Sequence, residues 1–461
     1  MNDDAITDLQ ILIRQPSVSA KNQGLVACAL VVAQIMQKAG IDTKLLYIDK
    51  LLKVEQEDIV SRPSPPLVYG EVLSKSNPNG KTILFYNHYD VQPVEPIELW
   101  DEDPFSGKVA GNFIFGRGSA DNKGELITRI KAVEYYLKKT GDVPCNVKFI
   151  IEGEEEIGSV HLKEYLSLYK EKFECDGIIW ESGFVDAYGR PIISLGQKGI
   201  LSVEIVSKGP RRDAHSSLAV LIENPAWNLV RALNSLRDDK GKILINDWYK
   251  EVREFTTEEL SIMKNEPFDE EALKKEYGIT NFFNNAKGID VKKAFAGMPT
   301  CNISGLVSGY RGEGSKTVLP SIAIAKLDFR LVPDMIPEIQ FERLRKHLKK
   351  YWLDSGGRDN DIDVTFLDGE PASRTPVSHP FVNIVKDAAV EVYGDVIINV
   401  SSAGTGPMYY FDKLLNVPSV CIGGTDISNR SHSPNEYMRI DSLNKTIKCI
   451  TVLLKKFADN K

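Results

Sequence analysis

Short runs of consecutive apolar residues alternate with polar segments and helical patterns in the first two hundred positions and again near the C-terminal end. The runs are ILFY (83–86), VKFII (147–151), GIIW (177–180) and VPSVCI (417–422). Runs of this length are typical of strands that are buried on both faces of a sheet. Between the first two runs, one face of a predicted helix carries Leu126, Ile130, Val133 and Leu137. The alternation predicts an α/β fold with a mainly parallel sheet and helices on both faces.

The middle of the chain has a different pattern, in which apolar and polar residues alternate singly. This alternation begins at Leu201 in LSVEIVSKG and recurs around Lys326 in IAIAKLDFRLV, and a helical segment follows each stretch. Single alternation indicates strands with one exposed face, so we expect a smaller α+β domain inserted into the first. The predicted boundaries give a main domain in two parts, residues 1–198 and 374–461, and an inserted domain at residues 199–373.

Composition and charge narrow the class of protein. The chain has 461 residues, of which 42% are hydrophobic and 26% charged, as is typical of a globular protein with two or three domains. Its formal net charge is −7, whereas nucleic-acid binders and polybasic membrane-surface proteins are expected to be basic. The acidic start and the absence of a long apolar run predict a cytoplasmic protein without a transmembrane helix. We therefore expect small-molecule substrates, and neither nucleic acid nor membrane as a partner.

Acidic residues and histidines directly follow the apolar runs. His88 and Asp90 come after the first run, residues 154–156 are three glutamates after the second, and Glu181 comes after the third. His432 lies beyond the last run. In an open parallel sheet the carboxyl ends of the strands meet at one crevice, so these side chains are expected to lie close together.

Histidines and carboxylates without cysteine suit zinc, cobalt or manganese. The six cysteines are at least 28 positions apart, which excludes C-x-x-C metal and redox motifs. Asp121, in GRGSADNKGE, would complete a set of five ligands with His88, Glu156, Glu181 and His432. Five ligands can hold two ions if one carboxylate bridges them, as in two-metal hydrolases. As an alternative, Asp121 would only cap the helix that follows it.

Six motifs extend across almost the whole chain: NHYDVQP, GRGSADNKGE, EGEEEIGS, RDAHSS, DFRLVP and SHSPNE. In this order they resemble the two-zinc metallopeptidases, a family that includes carnosinases, Cys-Gly dipeptidases, aminoacylases, carboxypeptidase G, and the desuccinylase and deacetylase enzymes of lysine and arginine synthesis. The resemblance implies that residues 1–198 and 374–461 form a zinc-peptidase catalytic domain. It also implies that the inserted domain, residues 199–373, is a lid and dimerisation domain.

The resemblance assigns a role to each of the five candidate ligands. It implies that Asp121 bridges two divalent ions, which are zinc in the family and for which cobalt or manganese is an alternative. One ion would also be held by His88 and Glu181. The other ion would be held by Glu156 and His432.

Residues beside the ligands also receive roles from the resemblance. Glu155 would be the general base, which takes a proton from the attacking water and passes it to the leaving amine. Asp90 would orient His88, as carboxylates do for metal-bound imidazoles. In the family a cis peptide follows the bridging aspartate, so we expect the bond between Asp121 and Asn122 to be cis.

Three motifs outside the ligand set correspond to substrate-binding positions of the family. His215 corresponds to a histidine that reaches the partner subunit's active site and stabilises the developing oxyanion, which implies a homodimer; alternatively it is structural. Arg330 corresponds to the position that binds the substrate carboxylate; alternatively it pairs with Asp328 on its own strand. The glycine-rich substrate loop corresponds to Gly404, Thr405 and Gly406, with threonine where the family usually carries serine.

Glu181 bears on the choice of substrate. The carnosinase and Cys-Gly dipeptidase branch usually carries aspartate at this ligand, whereas deacylases and carboxypeptidases usually carry glutamate. We expect a dipeptidase or carboxypeptidase that acts on a small peptide, with N-acyl amino acid deacylation as the alternative. A catalytically inactive binding protein on the same fold is an alternative of another class, which the complete set of ligands and base disfavours.

Overall fold

The computed structural model describes residues 2–48, 64–358 and 361–460. The chain divides into two compact units. The first unit comprises Met1–Gly196, Thr375–Val400 and Pro407–Lys461, and the second comprises Gln197–Arg374 and Ser401–Gly406. Among the described residues, no helix combines the length and the apolar character that crossing a membrane requires.

The helices in chain order are α1 (Asn2–Arg14), α2 (Leu25–Lys38), α3 (Lys123–Thr140), α4 (Leu162–Leu168), α5 (Lys170–Phe173), α6 (Pro225–Asn234), α7 (Thr257–Asn265), α8 (Glu270–Tyr277), α9 (Ile289–Gly297), α10 (Pro337–Asp354), α11 (Pro380–Tyr393), α12 (Met408–Leu415) and α13 (Ile440–Asp459). The strands are β1 (Asp42–Leu46), β2 (Leu67–Val72), β3 (Thr82–His88), β4 (Lys108–Ala110), β5 (Phe113–Phe115), β6 (Asn146–Glu152), β7 (Gly177–Trp180), β8 (Phe184–Val185), β9 (Pro191–Ser194), β10 (Gly196–Gln197), β11 (Gly199–Lys208), β12 (Ala214–His215), β13 (Asn302–Ser308), β14 (Val318–Leu319), β15 (Ile322–Leu331), β16 (Ile362–Glu370), β17 (Ser373–Arg374), β18 (Ile397–Asn399), β19 (Ser419–Cys421), β20 (Thr425–Asp426) and β21 (Tyr437–Arg439).

A large sheet forms the centre of the first unit. Its strand order is β1-β2-β6-β3-β7-β19-β9-β8-β20, with β18 beside β9. The four predicted apolar runs became β6, β3, β7 and β19, which are neighbours and run parallel to one another. Every residue of β6 and β7 is buried, as expected for central strands covered on both faces. The predicted fold class is therefore confirmed.

Helices cover both faces of this sheet. On one face, Tyr86 stacks on Trp180 with ring centroids 4.0 Å apart, and Phe411 of α12 meets the Trp180 ring edge-on at 5.3 Å. On the other face, Phe381 of α11 lies so close to Gly177 that a Cβ there would come within 2.8 Å of its ring. Helix α13 packs against both α11 and α3 on that side. Both faces are apolar because β3, β6 and β7 lack the alternation of half-exposed strands.

The second unit is built on a four-stranded antiparallel sheet with the order β13-β15-β11-β16. Its central strands β11 and β15 alternate between buried and more exposed residues, as the single alternation in the sequence predicts. Helices α6 and α10 cover the buried face, where Leu229 and Leu344 pack with Val203 and Phe329. The unit therefore has its own apolar core, and β13 lies at the edge of its sheet.

Candidate metal centre

In the first unit, the ends of three neighbouring strands bring the predicted ligands together. His88 is the last residue of β3, and Glu181 directly follows β7. Glu155 and Glu156 lie in a short 3-10 turn, Glu155–Ile157, three residues beyond β6. Because these strands run parallel, their carboxyl ends share one edge of the sheet, where ligand sites are expected in α/β folds.

Asp121 lies between two histidines. Its Oδ1 is 3.1 Å from His88 Nε2, and its Oδ2 is 3.2 Å from His432 Nε2. The alternative of a helix cap is wrong, because α3 begins at Lys123 and its N-cap is Asn122, which makes no side-chain capping bond. The bond between Asp121 and Asn122 is cis, which confirms that expectation. The two carboxylate oxygens of Asp121 thus face different imidazoles.

A second carboxylate accompanies each histidine. Glu181 Oε2 lies 3.8 Å from His88 Nε2, and Glu156 Oε2 lies 3.2 Å from His432 Nε2. The five side chains therefore form two groups that share Asp121. His88 of one group, Glu156 of the other and the shared Asp121 also offer donor atoms that all lie within 4.8 Å of one another, so the two groups adjoin.

The electrostatics of this cluster fit divalent cations. Burial raises the pKa of Glu181 to about 7, and hydrogen bonds to Asp121 and Glu156 raise the pKa of His432 to about 10. The shift of His432 reflects the negative charge of its two carboxylate neighbours, and that of Glu181 reflects the cost of burying its own charge. Two buried oxygens, Glu156 Oε1 and Glu181 Oε2, make no hydrogen bond within the described structure. Unpaired carboxylate oxygens beside imidazoles are the donors expected of a zinc, cobalt or manganese site.

Glu155 borders the cluster, and its side chain is 19% exposed. Its Oε2 is 4.0 Å from His88 Nε2, a longer separation than that between His88 and Asp121. Burial, together with the negative charge of Glu181, raises the pKa of Glu155 well above its usual range. A carboxylate that stands beside the ligands and has a raised pKa is suited to accept a proton.

The carboxylate of Asp90 connects two parts of the cluster. Its Oδ1 lies 3.3 Å from His88 Nδ1. Its two oxygens also accept hydrogen bonds from the backbone N–H groups of Glu155 at 3.2 Å and Glu156 at 3.1 Å. The side chain is fully buried. One carboxylate thus contacts the imidazole on β3 and the turn that carries both glutamates.

Several residues that support the cluster were not predicted from the sequence. Gln92 donates to Glu156 Oε2 at 2.9 Å, and Glu436 accepts a bond from the Asp121 N–H at 3.0 Å. Gln92 lies in the motif NHYDVQP and Glu436 lies in SHSPNE, so their positions in the sequence were a usable signal. Arg129 is buried on α3 and donates to the backbone oxygen of Glu181 at 2.8 Å. No feature of the sequence distinguished Arg129 from other helical arginines.

The second unit contains the remaining predicted residues. His215 ends β12 and is exposed, and its Nδ1 lies 2.8 Å from Ser217 Oγ in the same turn. Arg330 Nη1 donates to Thr405 Oγ1 at 2.6 Å. The alternative that Arg330 pairs with Asp328 is not observed, and the Asp328 carboxylate instead accepts a bond from Asn302.

In the loop that contains Thr405, Gly406 packs closely against the side chain of Gln197. A Cβ atom on Gly406 would approach the Gln197 side chain to 2.9 Å, whereas one on Gly404 would only reach van der Waals contact at 3.5 Å. The structure thus brings Arg330 together with the loop of Gly404, Thr405 and Gly406. The bond between His215 and Ser217, by contrast, stays within a single turn.

A cavity of about 460 Å³ opens beside Asp121 and His432. Exposed side chains of Phe184, Ile427 and Arg430 form other parts of its wall. All of these residues belong to the first unit. Asp121 and His432 are therefore accessible to a small molecule, and the wall of the cavity offers both apolar and cationic contacts.

Comparison with known proteins agrees with this geometry. The sequence model of the family described as peptidase family M20/M25/M40 matches residues 84–456. The Cys-Gly metallodipeptidase dug1 of Schizosaccharomyces pombe is 29% identical over 99% of this chain and 96% of its own length. The Beta-Ala-His dipeptidase of Homo sapiens is 29% identical over 82% of this chain and 74% of its own length.

Solved structures show the same fold. An M20 family metallo-carboxypeptidase from Sulfolobus solfataricus has a TM-score of 0.86 and 37% identity, with all of both chains covered. Human carnosine dipeptidase 1 has a TM-score of 0.77 and 26% identity, over 99% of this chain and 97% of that chain. Both are hydrolases of peptide bonds by their names.

Proposed function

This chain belongs to peptidase family M20/M25/M40 and is a metal-dependent hydrolase, and on that premise we propose that it cleaves the amide bond of dipeptides or short peptides. The observation that carries the proposal is the position of Asp121, whose two oxygens each lie beside a different histidine. A carboxylate in this position suits the bridge between two ions.

Each member of the ligand set has a role in the proposal. His88 and Glu181 would hold one ion, Glu156 and His432 would hold the other, and Asp121 would contribute to both. Two divalent ions there, which we propose to be zinc, would polarise the scissile carbonyl and make water acidic enough to act as the nucleophile. Cobalt and manganese suit the same nitrogen and oxygen donors.

Proton transfer is the task of Glu155. Its carboxylate removes a proton from the attacking water and then delivers that proton to the leaving amine. Asp90 keeps Glu155 in place through its bond from the Glu155 N–H, and it orients His88 through Nδ1. Because Glu155 is not among the five ligands, its loss should affect turnover more than metal binding.

The second unit supplies the substrate contacts in this proposal. Arg330 binds the free carboxylate of the substrate, since a guanidinium offers a planar pair of donors to a carboxylate. Thr405 holds that guanidinium through its hydroxyl oxygen. Gly404 and Gly406 form the rest of the loop against which the substrate backbone lies, and residues 199–373 act as the lid.

We further propose that two copies associate through the second unit and that His215 stabilises the oxyanion in the active site of the other copy. The edge strand β13 exposes Ile303 and Leu306, and α6 exposes Trp227 and Val230. An apolar strand edge beside an apolar helix face is a typical surface for pairing with a second copy.

The substrate class depends on the groups that a peptidase of this kind must recognise. A dipeptide and the end of a longer peptide both carry a carboxylate one residue beyond the scissile amide, which Arg330 would recognise. An N-acyl amino acid carries the same carboxylate but lacks the free amine. The names of the two dipeptidases and the carboxypeptidase favour peptides over N-acyl amino acids.

A substrate panel tests the proposal. The purified protein, loaded with zinc, cobalt or manganese, would be assayed with Cys-Gly, β-Ala-His, short peptides, dipeptide amides, and N-acetyl and N-succinyl amino acids. We expect hydrolysis of the peptides, much slower hydrolysis of the amides, and loss of activity with a chelator. Hydrolysis of N-acyl amino acids alone would favour a deacylase, and a protein that neither holds metal nor cleaves any amide would be a binding protein.

A further inference from the structure

One buried carboxylate outside the ligand set holds the loop that carries Asp121. Glu436 has no exposed surface, and four N–H groups converge on its two oxygens. Oε1 accepts from Ala120 N at 2.9 Å and from Asp121 N at 3.0 Å. Oε2 accepts from Gly118 N at 3.0 Å and from Arg117 Nη1 at 2.8 Å. The acceptor positions of this carboxylate are thus all used by donors from residues 117–121.

The same residue belongs to the segment that carries His432, four positions earlier in the sequence. His432 and Asn435 both have left-handed backbone, with φ of 60° and 61°, which is uncommon for residues other than glycine. Such conformations persist where surrounding contacts determine them. The carbonyl oxygen of Glu436 supplies a further contact, since it accepts a bond from Gly116 N at 2.9 Å.

We propose that Glu436 is a positioning residue that fixes Asp121 relative to both His88 and His432, and thereby sets the spacing of the two metal positions. This inference rests on the two-metal site of the proposed function. It assigns Glu436 no contact with substrate or with an ion. Glu436 would affect metal binding indirectly, because it accepts a hydrogen bond from the backbone N–H of Asp121 and so positions that ligand.

The arrangement requires a carboxylate because all of its neighbours are donors. A glutamine at this position would direct its own N–H₂ group at either the Arg117 and Gly118 pair or the Ala120 and Asp121 pair. Either orientation would remove two hydrogen bonds and set donor against donor. The Arg117 guanidinium, which is 1% exposed, would also lose its charged partner.

The test is metal affinity, measured by competition between zinc and a coloured chelator for the full-length protein. Glu436→Gln should weaken zinc binding by roughly 10 to 100-fold, the range typical when a residue that orients a metal ligand is lost. Glu436→Asp is the second variant, because it retains the charge beside Arg117 but draws the carboxylate away from Ala120 and Asp121. It should remain folded and still bind zinc more weakly than the wild type. The visible spectrum of the cobalt-loaded protein should change in both variants, because it reports ligand geometry.

Glu125→Gln is the matched control. Glu125 is also buried, at 1% exposure, and its Oε1 accepts three bonds from Gly424 N, Thr425 N and Thr425 Oγ1. That loop carries none of the five ligands, and the amide oxygen of glutamine can accept the same bonds. The charge of Glu125 also acts on Arg129, but Arg129 keeps its bonds to the backbone oxygens of Tyr86, Trp180 and Glu181. Zinc affinity and the cobalt spectrum should therefore stay unchanged in this variant.

Wild-type zinc affinity in a folded Glu436→Asp or Glu436→Gln protein would overturn the proposal. An equal loss of affinity in Glu125→Gln would also overturn it, because the effect would then reflect general destabilisation. Failure of the proposed function gives a different result. In that case the wild type would bind two metal ions and cleave no peptide, while the variants would still differ from the control in zinc affinity.

Discussion

The two units of this chain hold their candidate functional residues in opposite ways. In the first unit the ligands contact one another, and three of them are buried: the side chains of His88, Glu156 and Glu181 are 1%, 3% and 8% exposed. The other two, Asp121 and His432, border the cavity and are 32% and 54% exposed. In the described part of the second unit, the His215 side chain is exposed and bonds only within its own turn, while Arg330 bonds to Thr405.

This difference follows from the chemistry expected of each region. Carboxylates repel one another, so a metal site must be held in place by the fold before any ion binds. Substrate-binding groups need to be accessible, and they acquire their partners only when a substrate or a second copy arrives. Perturbations of the first unit should therefore reduce turnover or metal content, whereas those of the second should leave metal content unchanged and act on substrate affinity, on assembly or, through His215, on turnover.

The largest effect is expected from Glu155 in the first unit. Glu155→Gln should retain both metal ions and lose about 10² to 10⁴ in kcat, the range typical for removal of a general base. Glu156→Gln, its neighbour in the same turn, should also lose metal because it replaces a ligand. Metal analysis and steady-state kinetics of the two proteins provide the measurement. Full metal and activity in Glu156→Gln, with metal loss in Glu155→Gln, would mean that the two roles are exchanged.

The sequence predicts the first unit better than the second for a structural reason. Parallel strands carry residues from distant parts of the chain to one edge, so His88 and Glu181 can be identified from their positions at the ends of apolar runs. The contacts of Arg129 were not predictable, because a buried polar contact leaves no periodicity in the sequence, and Glu436 was indicated only by its place in the motif SHSPNE. The helix-cap interpretation of Asp121 failed because capping and metal ligation both favour aspartate before a helix.

In the second unit, the sequence identified strands and motifs but not their surroundings. The alternation in β11 and β15 gave the correct elements. A strand arginine such as Arg330 can bond to a residue of its own strand or to a group outside the sheet. The alternation of apolar and polar residues does not tell which of these it bonds. The roles of His215 and Thr405, and the lid and dimer functions of residues 199–373, stay predictions, because they depend on a substrate or a second copy.

The next largest effect concerns His215 and tests whether the second unit acts across an interface. His215→Ala should lower kcat by about 10² to 10³, as loss of an oxyanion donor does. Mixing inactive His215→Ala and Glu155→Ala chains should restore about a quarter of wild-type activity, since half of the dimers are mixed and one site in each is complete. Activity of the mixture after proven subunit exchange is the measurement. If none returns, His215 serves its own chain or is structural.

Arg330 should affect substrate affinity more than turnover. Arg330→Met should raise KM for a dipeptide by about 10 to 100-fold, because a hydrogen-bonded charge pair contributes about 1.5 to 3 kcal/mol. Thr405→Val removes only the oxygen that holds the guanidinium, so its KM should rise less. A dipeptide amide, which lacks the carboxylate, is the control substrate and should be equally slow with the wild type and Arg330→Met. A rise in KM for both substrates would assign Arg330 to packing.

The smallest effect is a pH dependence of stability that belongs to the second unit. Glu370, the last residue of β16, has its pKa raised to about 7 by burial and by the charge of Asp368. Between its usual pKa of 4.5 and about 7, the folded protein binds more protons than the unfolded chain, so stability falls as pH rises through this window. The Glu370→Gln variant has no titrating group at this position, so it does not lose this stability. As pH rises from 5 to 8, its free energy of unfolding relative to that of the wild type should therefore increase by about 1 to 2 kcal/mol. The measurement is thermal unfolding of the wild type and the variant across this pH range. Both are also measured without metal, so that pH-dependent metal binding in the first unit is not mistaken for the effect of Glu370. Stability curves of the two proteins that stay parallel from pH 5 to pH 8 would contradict the prediction.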